Sequence, residues 1–429
     1  MKKFIYLVVL ICSFGLASCT PETENLFEGT SADRIEKELE EAKEVLVSAP
    51  NGWVMKYYPS SQQLYGGYNV LASFTKDGSV TISADIVDAS QKATSYYKLK
   101  EQAGPVLTFD TYNDIFHFFS APDSNLGDVG TGMGGDYEFT IMSVSAEEIV
   151  LKGKKTGNYV RMVPMPEDVS WKSYLEDIVN SECNVDGLFF TYTVNGVEYS
   201  VKKSFRTLII SYEVEGESVS GKYPYILTDK GLEFYSPINI AGENISNLFY
   251  DVSSGLWKSE DGKATLKEEF TPSSQWFTMS GPWFVTYDGM SSYGQSFVKK
   301  GQQSMSANIG GNYALDYLIL GSYFYEDNAV NVIYGAYAGV MILDTSILSD
   351  DKVKLTLTGS ADETGFALWQ AGLNTILTPI VALNEGVTFY VEHNAQVNPL
   401  EITLTLTEVG NEQNKIVVTN LQTPFGYHE

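Results

Sequence analysis

The sequence predicts a mainly β protein: antiparallel meander lobes of the sandwich or open-barrel kind, two short helices, and a C-terminal β domain. Three observations carry this. Short runs of β-branched and aromatic residues recur along most of the chain, bounded by Gly, Asn, Asp and Pro. Asp77-Gly78 and Asn195-Gly196 join such runs directly, and these dipeptides favour hairpin turns because Asn, Asp and Gly tolerate positive φ. Only two stretches, starting near Ser31 and Glu167, show clear helical spacing of apolar residues, so the alternation of strand and helix that a parallel sheet needs is missing.

The chain opens with Lys2 and Lys3, then an apolar run from Phe4 to Phe14. That run is too short to span a bilayer, which takes about 20 residues. Small residues, Leu16-Ala17-Ser18, precede Cys19, the pattern of a bacterial lipobox. Residues 1–18 are therefore expected to be a lipoprotein signal peptide, with Cys19 the lipid-attachment residue carrying acyl chains such as palmitate. Residues 19–30 read as an acidic tether; Glu22 and Glu24 resemble the surface-export signal of some Gram-negative lipoproteins. The expected location is the outer membrane, lipid-anchored, with exposure at the cell surface.

A first lobe is expected over 31–166. Ile35, Leu39, Ala42 and Leu46 make a helix stripe, and Pro50-Asn51-Gly52 ends it. Strands are expected at Trp53–Tyr58, Tyr68–Phe74, Ser79–Ala84, Tyr96–Lys100, Val106–Phe109, Ile115–Phe119, Tyr137–Val144 and Glu148–Lys152. A second lobe is expected over 167–270, with Trp171, Leu175 and Ile178 on one helix side and aromatic strands from Leu188 onward. Helix, turn, aromatic strand and hairpin thus occur twice. Val106 to Pro122 also echoes Tyr225 to Pro237, suggesting two related lobes. Thr271-Pro272-Ser273-Ser274 marks the start of a C-terminal β-sandwich-like domain, 271–429, with strand candidates at Trp283–Tyr287, Asn331–Tyr334, Val353–Thr358, Thr388–Glu392 and Ile402–Thr407.

Composition excludes several functions. With 54 Asp plus Glu against 28 Lys plus Arg, the net charge is −26, and it becomes −28 once Lys2 and Lys3 leave with the signal peptide. Nucleic acid and anionic headgroups are poor partners for such a surface. Hydrophobic residues at 44% supply real cores. Three histidines and three cysteines rule out most zinc sites and disulfide frameworks. After processing, Cys183 is the free thiol.

Asp110, Asn113, His117, Asp136 and Glu138 form the densest polar set, able to meet a cation or polar ligand; Asp110-Thr111-Tyr112-Asn113 is equally a good turn. His117 alternates with Phe116 and Phe118 as a strand residue would. The glycine-rich run Asp128 to Asp136 lacks the Lys-Ser/Thr of a P-loop. Asp123-Ser124-Asn125-Leu126-Gly127-Asp128 has some calcium-loop character without EF-hand spacing, so a weak calcium site is the one cofactor allowed and metal ligands stay unassigned. No Gly-x-Ser-x-Gly or His-Glu-x-x-His is present, and no enzyme is expected; a carboxylate pair of the glycosidase type is the alternative. Trp276, Trp283 and Tyr287 gather with Phe277, Phe284 and Tyr293, either as a sugar-stacking platform or as core.

Gly104 to Asn113, His117, Gly134-Gly135-Asp136-Tyr137-Glu138-Phe139 and Leu151-Lys152-Gly153-Lys154-Lys155 resemble the domain-of-unknown-function 4302 family of exported lipoproteins. The lipobox and Asn51-Gly52-Trp53 fit the same pattern, and the resemblance covers about residues 19–250. It implies association with Sus-type outer-membrane uptake, in which a surface lipoprotein accompanies a TonB-dependent transporter. The function expected on that basis is a non-enzymatic accessory or binding protein for glycan or peptide nutrients. A surface hydrolase, or a scaffold that only docks on the transporter, are the alternatives.

Overall fold

A computed structural model describes residues 31–122, 126–127, 131–214, 216–310, 314–325, 328–394 and 400–427. The lipobox, Cys19, the tether, and Asp123 and Asp128 of the calcium-like segment lie outside the described residues.

Helix α1 (Ser31–Leu46) precedes eight antiparallel strands: β1 (Trp53–Tyr57), β2 (Tyr68–Phe74), β3 (Ser79–Ala84), β4 (Ala93–Glu101), β5 (Pro105–Phe109), β6 (Glu138–Val144), β7 (Ile149–Gly153) and β8 (Tyr159–Pro164). They form a meander that closes when β1 pairs with β8, Trp53 opposite Pro164, so the lobe is a closed barrel. Strand alternation fills it: Trp53, Met55 and Tyr57 of β1 pack with Val70 and Ala72 of β2. From α1, Ala42 and Leu46 join this core, and the Trp53 indole N–H donates to the Leu46 carbonyl at 2.9 Å. Val54 and Leu71 point the other way, yet they too are buried, beneath a second helix.

That helix, α2 (Trp171–Glu182), starts at Ser170, whose hydroxyl accepts the Ser173 N–H at 3.1 Å. Trp171, Tyr174, Leu175 and Ile178 pack onto a second barrel as well as onto Val54 and Leu71 of the first. The second barrel is the meander β9 (Phe189–Val194), β10 (Val197–Ser204), β11 (Thr207–Val214), β12 (Glu217–Thr228), β13 (Gly231–Ile240), β14 (Glu243–Asp251), β15 (Leu256–Lys258) and β16 (Ala264–Glu269), closed by β16 on β9. Asn195 and Gly196, at φ 51° and 78°, make the expected hairpin turn. At 76–78 only Gly78 has positive φ, so that turn is of another type.

The third unit is β-rich but not purely so. It runs α3 (Ser273–Met279), β17 (Trp283–Met290), α4 (Ser292–Ile309), β18 (Leu315–Gly321), β19 (Ala329–Tyr334), β20 (Tyr337–Ser349), β21 (Lys352–Ala361), α5 (Glu363–Leu368), α6 (Asn374–Leu377), β22 (Ala382–Leu383), β23 (Val387–His393), β24 (Thr403–Glu408) and β25 (Lys415–Thr419). Its sheet also comes round on itself, since β20 pairs with β21 as well as β19, while β22 adds to β21 in parallel. Val298 and Met305 of α4 pack into its core beside Ile376 and Leu377.

Two local expectations are corrected. The segment expected as a strand at Ile115–Phe119 is a helical turn, with His117–Phe119 as a 3₁₀ element. The Asn113 side chain accepts the N–H groups of Ile115 at 3.2 Å and Phe116 at 3.1 Å, which starts a helical turn, and Ile115, Phe116 and Phe119 then face the core at helical spacing. The echo between 106–122 and 225–237 therefore fails in its second half, where β13 is a true strand.

A polar seam welds the two barrels. Arg206, 2% exposed, donates from Nη1 to Asp85 Oδ2 and to the Gly67 carbonyl, both at 2.8 Å, and from Nε to Glu182 Oε2 at 2.9 Å. Its guanidinium lies 4.7 Å from the Tyr68 ring. Gly66, at φ 71°, is required here: a Cβ would come within 2.2 Å of the Arg206 carbonyl oxygen.

Candidate functional site

The most conspicuous exposed aromatic surface lies where β4, β5 and the segment entering β6 meet. Asp110 N–H donates to the Tyr96 carbonyl at 3.0 Å, Phe109 N–H to the Tyr137 carbonyl at 3.0 Å, and Tyr96 N–H to the Thr111 hydroxyl at 2.8 Å. These bonds hold Tyr96, Tyr112 and Tyr137 at neighbouring chain ends. Tyr112 and Tyr137 are 66% and 49% exposed, and both lie against the His117 ring, at centroid distances of 5.1 and 5.6 Å. The 28° angle between His117 and Tyr137 is that of a stack.

His117 is fixed rather than free to swing. Its Nδ1 accepts the Asn113 N–H at 3.1 Å, so the neutral ring carries its proton on Nε2 and can donate from there. Burial pushes its pKa below the ordinary histidine value.

A charged ladder borders the stack. Asp110 pairs with Lys98 and, at 3.4 Å, with Lys100; Lys100 reaches Glu138 at 3.7 Å, and Lys154 reaches Glu138 at the same distance. The Lys98 hydrogen bond holds the Asp110 carboxyl below the usual carboxylate range. Exposed pairs like these contribute about 0–1 kcal/mol to stability, so their polar groups are available to a ligand at little cost to the fold. Next to them a groove of about 650 Å³ runs between Leu39, Glu40 and Lys43 of α1 and Tyr96, Lys98 and Asp110.

The five polar candidates thus separate. Asp110, His117 and Glu138 share this surface, with Asn113 as its internal brace: buried, it also donates to the Ala93 carbonyl and Ser95 hydroxyl, each at 3.2 Å. Asp136 turns away. Buried at 5% exposure, it accepts the N–H groups of Lys155 at 2.5 Å and Thr156 at 3.1 Å and so closes the turn before β8.

Of the two readings left open for the aromatics near 276–287, platform or core, the structure gives core for Trp276 and Trp283. Trp276 is buried with its face on His393, ring centroids 4.3 Å apart, and Trp283 is 1% exposed with its indole N–H donating to the Phe277 carbonyl at 2.6 Å. Tyr287 is half-buried against Tyr427. β17 lies between β18 and β25 with Trp283 turned into the third unit's core. Sequence reasoning passed over Tyr96, Tyr112 and Tyr137; their signal was tyrosine at strand ends amid charged residues. Cys183 is exposed, its thiol pKa raised mainly by partial burial, and its Sγ lies 3.7 Å from the Val179 carbonyl. Among the described residues no group of three or more His, Cys, Asp or Glu is placed to hold a metal ion.

The profile of a family described as "Domain of unknown function (DUF4302)" matches residues 23–252. The chain belongs to the DUF4302 family. That match takes in both barrels up to β14, and with them the Tyr112–His117–Tyr137 surface. No curated protein matches this DUF4302 chain. Among solved structures it is similar to the DNA polymerase III beta subunit of Thermotoga maritima, at 11% identity over 90% of this chain and 98% of that one, with a TM-score of 0.11. A DNA polymerase sliding clamp from Pseudomonas aeruginosa matches at 10% identity over 91% and 98%, with a TM-score of 0.10. At such scores neither likeness bears on fold or function.

Proposed function

We propose that this DUF4302 protein is a lipid-anchored outer-membrane binding protein that captures a glycan or peptide for a nutrient-uptake system and does not itself catalyse a reaction. The exposed stack of Tyr112, His117 and Tyr137 carries the proposal. Two phenol rings and a neutral imidazole offer flat faces to the CH side of a sugar ring or to an aromatic side chain, and His117 Nε2, Asp110 and Glu138 offer polar partners to hydroxyl or amide groups. The groove beside the stack gives an extended chain a path along α1. A TonB-dependent transporter is the partner this role requires.

The test is a glycan and peptide array probed with the mature chain. Saturable binding should fall about two- to tenfold for Tyr112→Ala and again for Tyr137→Ala, since each aromatic contact is worth about 0.5–1.5 kcal/mol. Melting temperature should stay put, because both rings are exposed. Binding that survives both substitutions, or no binding across the array, would refute the proposal; release of cleaved product would favour the hydrolase. Anchoring has its own check: Cys19→Ala should release the protein in soluble form, and continued membrane retention would contradict it.

A further inference from the structure

We propose that the second barrel carries a strand-addition site at the free edge of β14, where an extended, lysine- or arginine-bearing segment of a partner protein docks. On one side β14 pairs with β13 from Glu243 to Leu248, across a bulge in β13 between Glu233 and Ile238. On its other side β15 covers only Phe249, Tyr250 and Asp251. β15 stops there because the chain turns at once into β16. The Ser259 hydroxyl accepts the Ala264 N–H at 2.9 Å and donates to Asp261 Oδ1 at 2.7 Å, while the Gly262 N–H donates to the Ser259 carbonyl at 2.9 Å. Among the described residues no strand then neighbours the outer edge of β14 from Glu243 to Leu248, about 17 Å at roughly 3.4 Å per residue.

A strand with one neighbour turns the N–H and C=O of alternate residues away from it. Among the described residues no hydrogen bond from outside β13 reaches the backbone between Asn244 and Leu248. The edge borders a groove of about 440 Å³, between Asn244–Asn247 on one flank and the Ser259–Asp261 turn on the other. It is also held in place. Ile238, Ile240 and Ile245 anchor the β13–β14 hairpin in the barrel core, and Glu243 accepts from Lys263 at 2.9 Å and from the Asn195 amide at 3.3 Å. Open edges are commonly blunted by lysine or proline, and Glu243 to Phe249 contains neither.

Charge chooses the occupant. Glu260 and Asp261 line the groove and no Lys or Arg does. Lys263 is taken up by Glu243 and, at 3.6 Å, by Asp261, whereas Glu260 has no ion pair among the described residues. A basic side chain on the incoming strand meets Glu260, and half-buried Phe249 in the lining offers an apolar contact. Main-chain hydrogen bonds to β14 supply affinity and these side chains supply selectivity. A second copy of this chain would bring its own Glu260 and Asp261 to the same edge, against a net charge of −26, so like charges oppose it. With no cation in the lining, a free C-terminal carboxylate has no counter-charge there, which favours an internal stretch of a longer chain.

Calorimetry and amide hydrogen exchange on the mature full-length chain decide the matter, with the capped peptide acetyl-Lys-Val-Thr-Val-Lys-Val-Thr-amide as probe. The peptide should bind saturably at one site and slow the exchange of alternate amides between Asn244 and Leu248, which exchange freely in the unbound protein. The same peptide methylated on every backbone nitrogen should bind at least tenfold more weakly. Glu260→Lys, at an exposed turn position, should also weaken binding at least tenfold without moving the melting temperature. Four results would overturn the proposal: no saturable binding, equal binding of the methylated peptide (side-chain attraction alone), binding unchanged in Glu260→Lys, or tighter binding of the uncapped peptide, which assigns the groove to free oligopeptides. Protection of the edge amides that rises with protein concentration and needs no peptide would overturn it too, in favour of a second copy.

Discussion

Replacing Arg206 with methionine strands two buried carboxylates, Asp85 and Glu182, that share this one guanidinium. Removing one partner from a buried ion pair costs about 3–5 kcal/mol, because the charge left behind is neither solvated nor compensated. Arg206→Met also strips the Gly67 carbonyl of its donor, about 1 kcal/mol more. The seam links strands of both barrels, so the cooperative unit spans β1 to β16 and each kcal/mol moves the midpoint by about 2–4 °C. The expected drop is about 8–24 °C. Thermal melts followed by circular dichroism, repeated with urea, measure it. Salt offers a control, because a pair at 2% exposure is screened far less than a surface pair, and 0.5 M salt should leave the difference between the two proteins nearly unchanged. The triple variant Arg206→Met/Asp85→Asn/Glu182→Gln should recover at least half of the loss, since the stranded charges are gone. A single variant that loses less than about 1 kcal/mol, or a triple variant as unstable as the single, would refute the reasoning.

Gly301→Ala is expected to destabilise the third unit by about 1 kcal/mol, because a Cβ would stand 2.3 Å from Ile376 Cγ1; overpacking of about 1–3 kcal/mol less a helix-propensity gain of about 1 leaves about 0–2, and a melt above wild type would contradict this. His117 should titrate below the ordinary histidine midpoint in an NMR pH series, as burial lowers it. The folded state then binds fewer protons than the unfolded one, so this stabilising contribution is complete above about pH 6.5 and is lost as pH falls below it; a midpoint at or above 6.5 would count against the packed, neutral ring.

Strand content and hairpin positions were legible because they are local. Asn195-Gly196 sits in the one turn conformation that suits both residues, and β9 reads as a strand from its alternating aromatics. Closure was not legible, because pairing Trp53 with Pro164 is a contact between segments that carry no mark of each other. The long helix α4 was hidden for another reason. Its buried stripe is Gly294, Val298, Gly301 and Met305, spaced as a helix face should be, but glycine at two of the four positions erases the hydrophobic periodicity. Those glycines are there for close approach, not flexibility, as the Ile376 contact shows. At 115–119 the run of aromatics suggested a strand, and the deciding signal was the preceding Asn113, whose side chain captures two backbone N–H groups.

Aromatic residues were legible as a class but not by side. Trp283 lies on the face of β17 that, with Val285, turns into the third unit's core. Tyr112 lies in a turn, where no sheet covers it, and the charged residues around it keep the surface wet. The same distinction sorts the acids. Asp85, Glu182 and Asp136 are spent on guanidinium and backbone donors inside the fold, whereas Asp110 and Glu138 are shared among three lysines at the Tyr112 surface. With a Debye length of about 8 Å at physiological ionic strength, a ligand at that surface responds to those lysines far more than to the chain's overall charge of −26. Stacking on tyrosine depends weakly on salt and pairing with lysine strongly, so raising the ionic strength separates the ring contacts from the charge contacts of a ligand held at that surface.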